Sequence, residues 1–463
     1  MFFLTCRLVK KTGQETFCLN FFNPLLYMEN IIKSFWDRNK IILKSFFIGM
    51  LVLLLLIPAA FIQSLVTERQ SRQQEAVNEI SSKWAGPQTV TGPVIGIPYK
   101  EVTTSDNNTT TIRKWAYFLP DKLDIQARIV PEKRYRGIYQ VIVYTTVLQV
   151  KGAYDSLRLA ELDIHPDQIL WNDAAVFFDI SDVQGLKEEM TLHLAGASLD
   201  LIPAKYSTDQ FKNSLSAALP AAIASTHGPL EFSATAELKG SGNLLFVPVG
   251  KTTTVRTTSS WPDPSFAGSY LPDVRTVKDS GFEADWKVLY LNRNFPQQWK
   301  ANQYDLNKSS FGVSLIVPVD SYQQTTRSVK YSILIILLTF TAFFLIEWVY
   351  RRAIHSLQYV LVGFALCLFY TLLLSFSEYI GFNKAYLLAA LATMLLIAWY
   401  VRSILRSSKM ATFIGLLLTL LYGFIFTLIQ LQDYALLMGS IGLFITLGIV
   451  MYFSRKIKWT EEK

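Results

Sequence analysis

Cysteine is nearly absent from this chain: there are three in 463 residues, Cys6, Cys18 and Cys367. None falls in the long polar segment 67–330. That segment therefore folds without disulfide staples, and at roughly 260 residues it is long enough to bury a proper core. Histidine is almost as scarce, with four. His165, His193 and His227 lie outside the apolar stretches, and none has a second His or Cys at metal-ligand spacing. His193 sits on the polar side of an alternating run, which reads as a solvated sheet residue. The sequence also lacks a phosphate-binding P-loop, a dinucleotide fingerprint and a Gly-x-Ser-x-Gly elbow. The expectation is a protein with no catalytic residue, cofactor or metal. A membrane-embedded transferase or hydrolase is the weakest alternative.

Charge of one sign is present but misleading. The net charge of +8 and the pI of about 9.1 suggest nucleic acid at first. Counted by segment, 67–330 holds 27 Lys and Arg against 28 Asp and Glu, and the remainder 17 against 8. The excess sits at the junctions of apolar stretches, so a nucleic-acid partner is not expected.

Six apolar stretches are what the sequence offers most plainly: 46–62, 331–350, 357–374, 385–401, 410–429 and 434–453. Each approaches the roughly 20 residues that a helix needs to cross about 30 Å of hydrocarbon. The partner implied is the lipid bilayer. Lys33, Arg38, Lys40 and Lys44 precede the first stretch. Arg351 and Arg352 follow the second, Arg402, Arg406 and Lys409 the fourth, and Arg455, Lys456 and Lys458 the sixth. With six spans all four basic sites share one face, which predicts cytoplasmic termini and a periplasmic segment 67–330.

Residues 1–27 fit nothing around them. Met28 opens a short charged lead into the first apolar stretch and is the expected start, with 1–27 a gene-model extension; a disordered cytoplasmic tail is the alternative. Residues 28–66 then form the lead and first span, 67–83 a helical stalk rich in helix formers, 84–330 the exported domain, 331–453 five more spans and 454–463 a tail.

The exported domain reads as β. Residues 230–239 alternate apolar and polar without a fault, as do 282–288 and 190–194. With further β-rich runs at short spacing, a helical piece over 209–224 and turns at 240–242 and 279–281, the reading is a β-sandwich-like domain inserted between the first and second of six transmembrane helices. Six tryptophans, Trp84, Trp115, Trp171, Trp261, Trp286 and Trp299, could line a cleft but in a sandwich are mostly core.

The candidates for recognition or transport are few. Arg134 and Arg136 form a basic cluster able to hold a phosphate or carboxylate, or else mark a charged strand edge. Residues 261–268, Trp-Pro-Asp-Pro-Ser-Phe-Ala-Gly, form a stiff loop in which Trp261 and Phe266 either anchor a partner or simply turn the chain. Glu347 stands four residues before Arg351, at pairing distance on a helix, and Glu378 is close to Lys384. Both acids lie near span ends, where charge is cheap, so both are expected to be structural.

Several stretches resemble the CreD family of inner-membrane proteins of Gram-negative bacteria. They are RGIYQVIVY at 136–144, FDISDVQG at 178–185, WPDPSFAGSYLP at 261–272, a run over 312–331 ending in YQQTTRSVKY, and QYVLVGFALCLFYTLLLSFSE at 358–378. The resemblance extends from about residue 41 to 402 and excludes 1–27. It implies a role in cell-envelope integrity, with expression linked in some relatives to a two-component system, and supplies no catalytic residue, cofactor or substrate. The leading expectation is a non-enzymatic envelope-maintenance protein that binds envelope proteins or lipids through its β-domain. The runner-up is a transporter or lipid-handling protein with the helices as path.

Overall fold

The computed structural model describes residues 24–105, 108–203, 205–206, 208–212, 214–226, 228–301, 304–315, 321–350, 354–431 and 434–454. His227, residues 1–23 and Arg351 lie outside them. The chain divides into two units, 69–320 and the combination of 1–68 with 321–463.

The first unit begins with the last part of helix α1 (Pro24–Trp84), a run free of Gly and Pro up to the break at Gly86-Pro87. Sixteen strands follow: β1 (Gln88–Ser105), β2 (Asn108–Phe118), β3 (Lys122–Arg136), β4 (Tyr139–Tyr154), β5 (Ala175–Ile180), β6 (Met190–Leu194), β7 (Ala197–Pro203), β8 (Leu215–Ala218), β9 (Leu230–Ser241), β10 (Asn243–Phe246), β11 (Thr252–Ser259), β12 (Pro264–Gly268), β13 (Val274–Lys278), β14 (Gly281–Leu289), β15 (Gln298–Lys300) and β16 (Phe311–Leu315). Their order is β12-β16-β10-β1-β5-β8-β7-β6-β9-β4-β3-β11-β14-β13, with β2 on β1 and β15 on β2. All pairings are antiparallel except β1 with β10 and β11 with β3.

A β-sandwich is thus overturned in favour of one continuous sixteen-stranded sheet curled toward a barrel. Alternation reveals which face of a strand is buried, and says nothing of which edges join. Here β7 is the joint: Ala197–Leu201 pair with β6, while Ile202 and Pro203 pair with β8. The helical piece expected over 209–224 is also corrected. It holds β8 and a four-residue helix α2 (Ala221–Ala224), because Pro220 separates the two.

The inner face carries the core, including Tyr117, Tyr144, Tyr154, Phe177, Phe178, Phe246 and Phe311, all fully buried. In β9, Phe232, Ala234, Ala236 and Leu238 are buried, while Glu231 and Thr235 face out. Burial pushes the Tyr117 phenol up to about 12 and the Tyr144 and Tyr154 phenols up as well. The Tyr154 hydroxyl donates to the Pro93 carbonyl at 2.9 Å.

The second unit is helical: α3 (Ser321–Lys330), α4 (Ser332–Tyr350), α5 (Ser356–Ile380), α6 (Phe382–Leu405), α7 (Ser408–Gln430) and α8 (Ala435–Ser454), with the apolar part of α1. Six transmembrane helices are not found among the described residues. Among them, four helices are long and apolar enough to cross a membrane: Leu43–Trp84, Ser356–Ile380, Phe382–Leu405 and Ser408–Gln430. A fifth span results only if Ser321–Lys330 and Ser332–Glu347, bent by 41° at their junction, count as one. Among the described residues, the apolar stretch of α8 covers Leu436–Ile449. Helix α4 follows the apolar run expected at 331–350 and is preceded, across the 41° bend, by the polar helix α3. The β-rich domain follows the first span and precedes the C-terminal helices.

Candidate functional site

The outer face of the sheet carries the clearest assembly of polar groups. Strand pairing aligns His193, Ser233, Lys151, Asp124, Thr254 and Lys287 in one transverse row across β6, β9, β4, β3, β11 and β14. The period of two explains the row. Leu192, Phe232, Val150, Leu123, Val255 and Trp286 next to them point inward and are buried, so the row must point out. A second row beside it sets Thr235, Gln149, Gln126, Arg256 and Asp285 in register.

An open cleft of about 1050 Å³ lies here. Its lining includes Lys122, Asp124, Lys151, His193, Glu231, Ser233 and Thr254. An adjoining hollow of about 360 Å³ adds Gln149, Glu189, Thr191 and Thr235. Gly152 lets the floor close. A Cβ there would stand 2.0 Å from the Lys122 carbonyl oxygen and 2.5 Å from the Phe232 ring, so only glycine allows β3, β4 and the core ring to approach.

Thr254 Oγ1 donates to Asp124 Oδ1 at 2.6 Å, which commits that carboxylate. Among the described residues, the Lys122 and Lys151 side chains make no ion pair or hydrogen bond. Two ammonium groups, the exposed Glu231 carboxylate and several hydroxyls therefore face water ready for a ligand. His193 Nδ1 meets Ser198 Oγ at 3.0 Å, but among the described residues no carboxylate orients the imidazole as a triad needs. Among the described residues, no three His, Cys, Asp or Glu side chains converge as a metal set.

The residues singled out by sequence lie elsewhere. Arg134 and Arg136 dock the β3–β4 hairpin on the end of α1. Arg134 contacts Glu132 at 3.0 Å and lies 5.0 Å from the Trp84 ring centroid, while Arg136 Nε meets Glu79 Oε2 at 3.0 Å. Trp261 is 7% exposed, donates to the Asp263 carbonyl at 3.1 Å and carries Lys133 over its ring. Phe266 belongs to β12, at one end of the strand order. Its ring packs edge-on against Phe282 and Trp286 of β14, beside the other end, with centroids 6.0 and 5.8 Å away. The stretch 261–268 thus supplies aromatic packing between the two ends of the curled sheet.

In the helical unit, Glu347 pairs with Lys44 and accepts a hydrogen bond from the Tyr359 hydroxyl at 3.1 Å. Lys44 Nζ also donates to the Ile354 carbonyl at 2.7 Å. The pair with Arg351 that spacing suggested involves a residue outside those described. Glu378 accepts from the Tyr322 hydroxyl at 3.0 Å, a partner that sequence reading passed over for Lys384. The predicted residues do not form one site. The cleft itself was missed, because its residues come from five strands whose register no local pattern reveals.

Arg293 was missed too. It is buried, donates to the Pro248 carbonyl at 2.7 Å and to Gln297, and lies 4.4 Å from the Phe295 ring centroid. Burial pulls its guanidinium down to about 10. It rivets the loops at 248 and 293–297 together.

With this geometry in hand, two comparisons bear on what the chain is. The family model described as inner membrane protein CreD matches residues 40–460. Inner membrane protein CreD of Escherichia coli (strain K12) is 33% identical over 415 residues, which cover 88% of this chain and 91% of that protein. The chain belongs to the CreD family of inner-membrane proteins.

Proposed function

We propose that this protein maintains the cell envelope without catalysing a reaction, by binding an envelope component in the cleft of its β-domain. The observation that carries the reading is the pair of uncommitted lysines, Lys122 and Lys151, in a polar cleft that crosses several strands. An open cleft with mixed charge and many hydroxyls suits a long polar ligand laid across the strands. It offers no buried pocket in which a reaction would be shielded from water.

The β-domain belongs on the periplasmic side in this reading. Lys33, Arg38, Lys40 and Lys44 precede the first span, and the basic junctions 351–352 and 402–409 are two spans apart. With the bent pair of α3 and α4 counted as one span, the positive-inside rule puts them all in the cytoplasm and the domain between α1 and α3 on the opposite side.

The test is Lys122→Glu with Lys151→Glu in the full chain, expressed in a strain lacking its own copy and exposed to envelope stress. Survival should fall to that of the empty strain while protein abundance stays normal. Survival equal to wild type would overturn the cleft as the working surface.

A further inference from the structure

The helical unit holds polar atoms that nothing among the described residues satisfies. Tyr370 of α5 and Tyr422 of α7 are fully buried, and neither hydroxyl has a hydrogen-bond partner among the described residues. Tyr386 of α6 directs its own hydroxyl to the Tyr422 carbonyl at 2.8 Å, tying α6 to α7. The Phe369 ring touches all three, with centroids at 4.8, 5.3 and 4.6 Å from Tyr370, Tyr386 and Tyr422. The buried Cys367 thiol stands one turn before Tyr370 and lies 3.9 Å from the Leu55 carbonyl of α1.

Depth follows from helix rise. Tyr370 precedes the end of α5 at Ile380, and Tyr422 the end of α7 at Gln430. At 1.5 Å per residue both lie roughly 12–15 Å in, near the middle of a hydrocarbon core about 30 Å thick. Phenylalanine would fill either position without leaving a hydroxyl unpaired in an apolar interior.

More orphans mark the way in. Lys44 meets Tyr359 and Leu55 meets Cys367, so α1 and α5 run in the same direction and Gln63 falls toward the Glu378 end. Toward that end, Gln63 Oε1, Gln324 Oε1 and Ser328 Oγ are buried without partners among the described residues, and Tyr322 donates to Glu378. Polar atoms thus extend from one end of the helices to their middle.

We propose that Tyr370 and Tyr422 form a binding site inside the membrane for an uncharged, lipid-soluble molecule whose carbonyl groups accept from the phenols. The donors fix the chemistry. Two O–H donors on rings that flank Phe369 want carbonyl acceptors, and the aromatic and thiol surroundings offer no counter-charge to an ion. Such a carbonyl could be the ester of a glycerolipid or the ring carbonyl of a quinone. The proposal is independent of the cleft.

The experiment uses the full-length protein in a maltoside detergent, which brings no carbonyl of its own. Thermal unfolding is followed while 1,2-dioctanoylglycerol or a decyl-substituted benzoquinone is added. One of the two should raise the midpoint saturably, identifying the source. Tyr370→Phe with Tyr422→Phe should need at least about tenfold more of that probe, the value of two modest hydrogen bonds. Without probe, this variant should melt no lower than wild type. Neither probe binding, or an equal response from the variant, would overturn the site. So would a lower midpoint of the variant alone, which would mean that bound water already satisfies the hydroxyls.

Discussion

The two units solve opposite problems. The β-domain turns its rings inward and stands its lysines, threonines and glutamines outward in rows. The helical unit turns apolar side chains such as Leu395 and Trp399, each 69% exposed, to the outside and keeps Tyr370, Tyr422, Glu347 and Lys44 within. The solvent on each side explains both. A lysine without a partner on the outer sheet face costs little, since water solvates it. A tyrosine hydroxyl without a partner between apolar helices costs a large part of its desolvation. An uncommitted group therefore carries different weight in the two units: in the cleft it is available, in the helices it asks for an occupant.

The comparison breaks most visibly at β9. Phe232→Asp puts a charge into the core and removes a ring, and should cost more than about 4 kcal/mol, enough to abolish folded protein. Thr235→Lys, three residues on and facing water, should stay within about 0.5 kcal/mol. Denaturant unfolding of the full chain measures both. Equal tolerance of the two changes would mean that the sheet faces are assigned the wrong way round.

A middle-sized effect sharpens the contrast from the helical side. Glu347 and Lys44 are 15% and 24% exposed at their side chains, so their ion pair is poorly screened. Glu347→Gln keeps an acceptor for Tyr359 but removes the charge, and should lower stability by about 1–3 kcal/mol. Adding Lys44→Gln should lower it little further, since the pair is already broken. Thermal unfolding in detergent decides. Additive losses would show that the two side chains do not act together.

Legibility in the sequence followed the range of the interaction. The alternation of 230–239 is local and became β9, buried on the side the apolar residues marked. The apolar runs were local too, yet among the described residues only four helices, or five with the pair bent by 41° at 331 counted as one, reach spanning length. Glu347 was noticed, but its partner Lys44 is 303 positions away. The sandwich failed because β7 bonds to both β6 and β8, a fact of edges that no strand pattern carries. Reading the spans for ionisable groups alone passed over Tyr370 and Tyr422, whose hydroxyls are neutral yet just as unwilling to be buried unpaired.

The smallest expected effect tests whether the β-domain too keeps a polar group that its core would rather lose. Asp179 of β5 stands opposite Thr91 of β1, whose Oγ1 is buried without a partner. No cation pairs with Asp179 among the described residues, and burial pushes its carboxyl above the ordinary 3.8. Between 3.8 and that raised value the folded protein binds more protons than the unfolded chain, so stability falls as pH rises through the window. Above the window the cost of ionising the buried group is present in full. Asp179→Asn removes the titration and keeps the shape, so it should raise the melting temperature at pH 7, by less than Glu347→Gln lowers it. The gain should shrink as pH falls and vanish once wild-type Asp179 is protonated in both states. Melting curves of the two full-length proteins across acidic pH measure it. A lower melting temperature of the Asn variant at pH 7 would mean that the carboxylate is held by a favourable partner, and that Asp179 is not a polar group this core would rather lose.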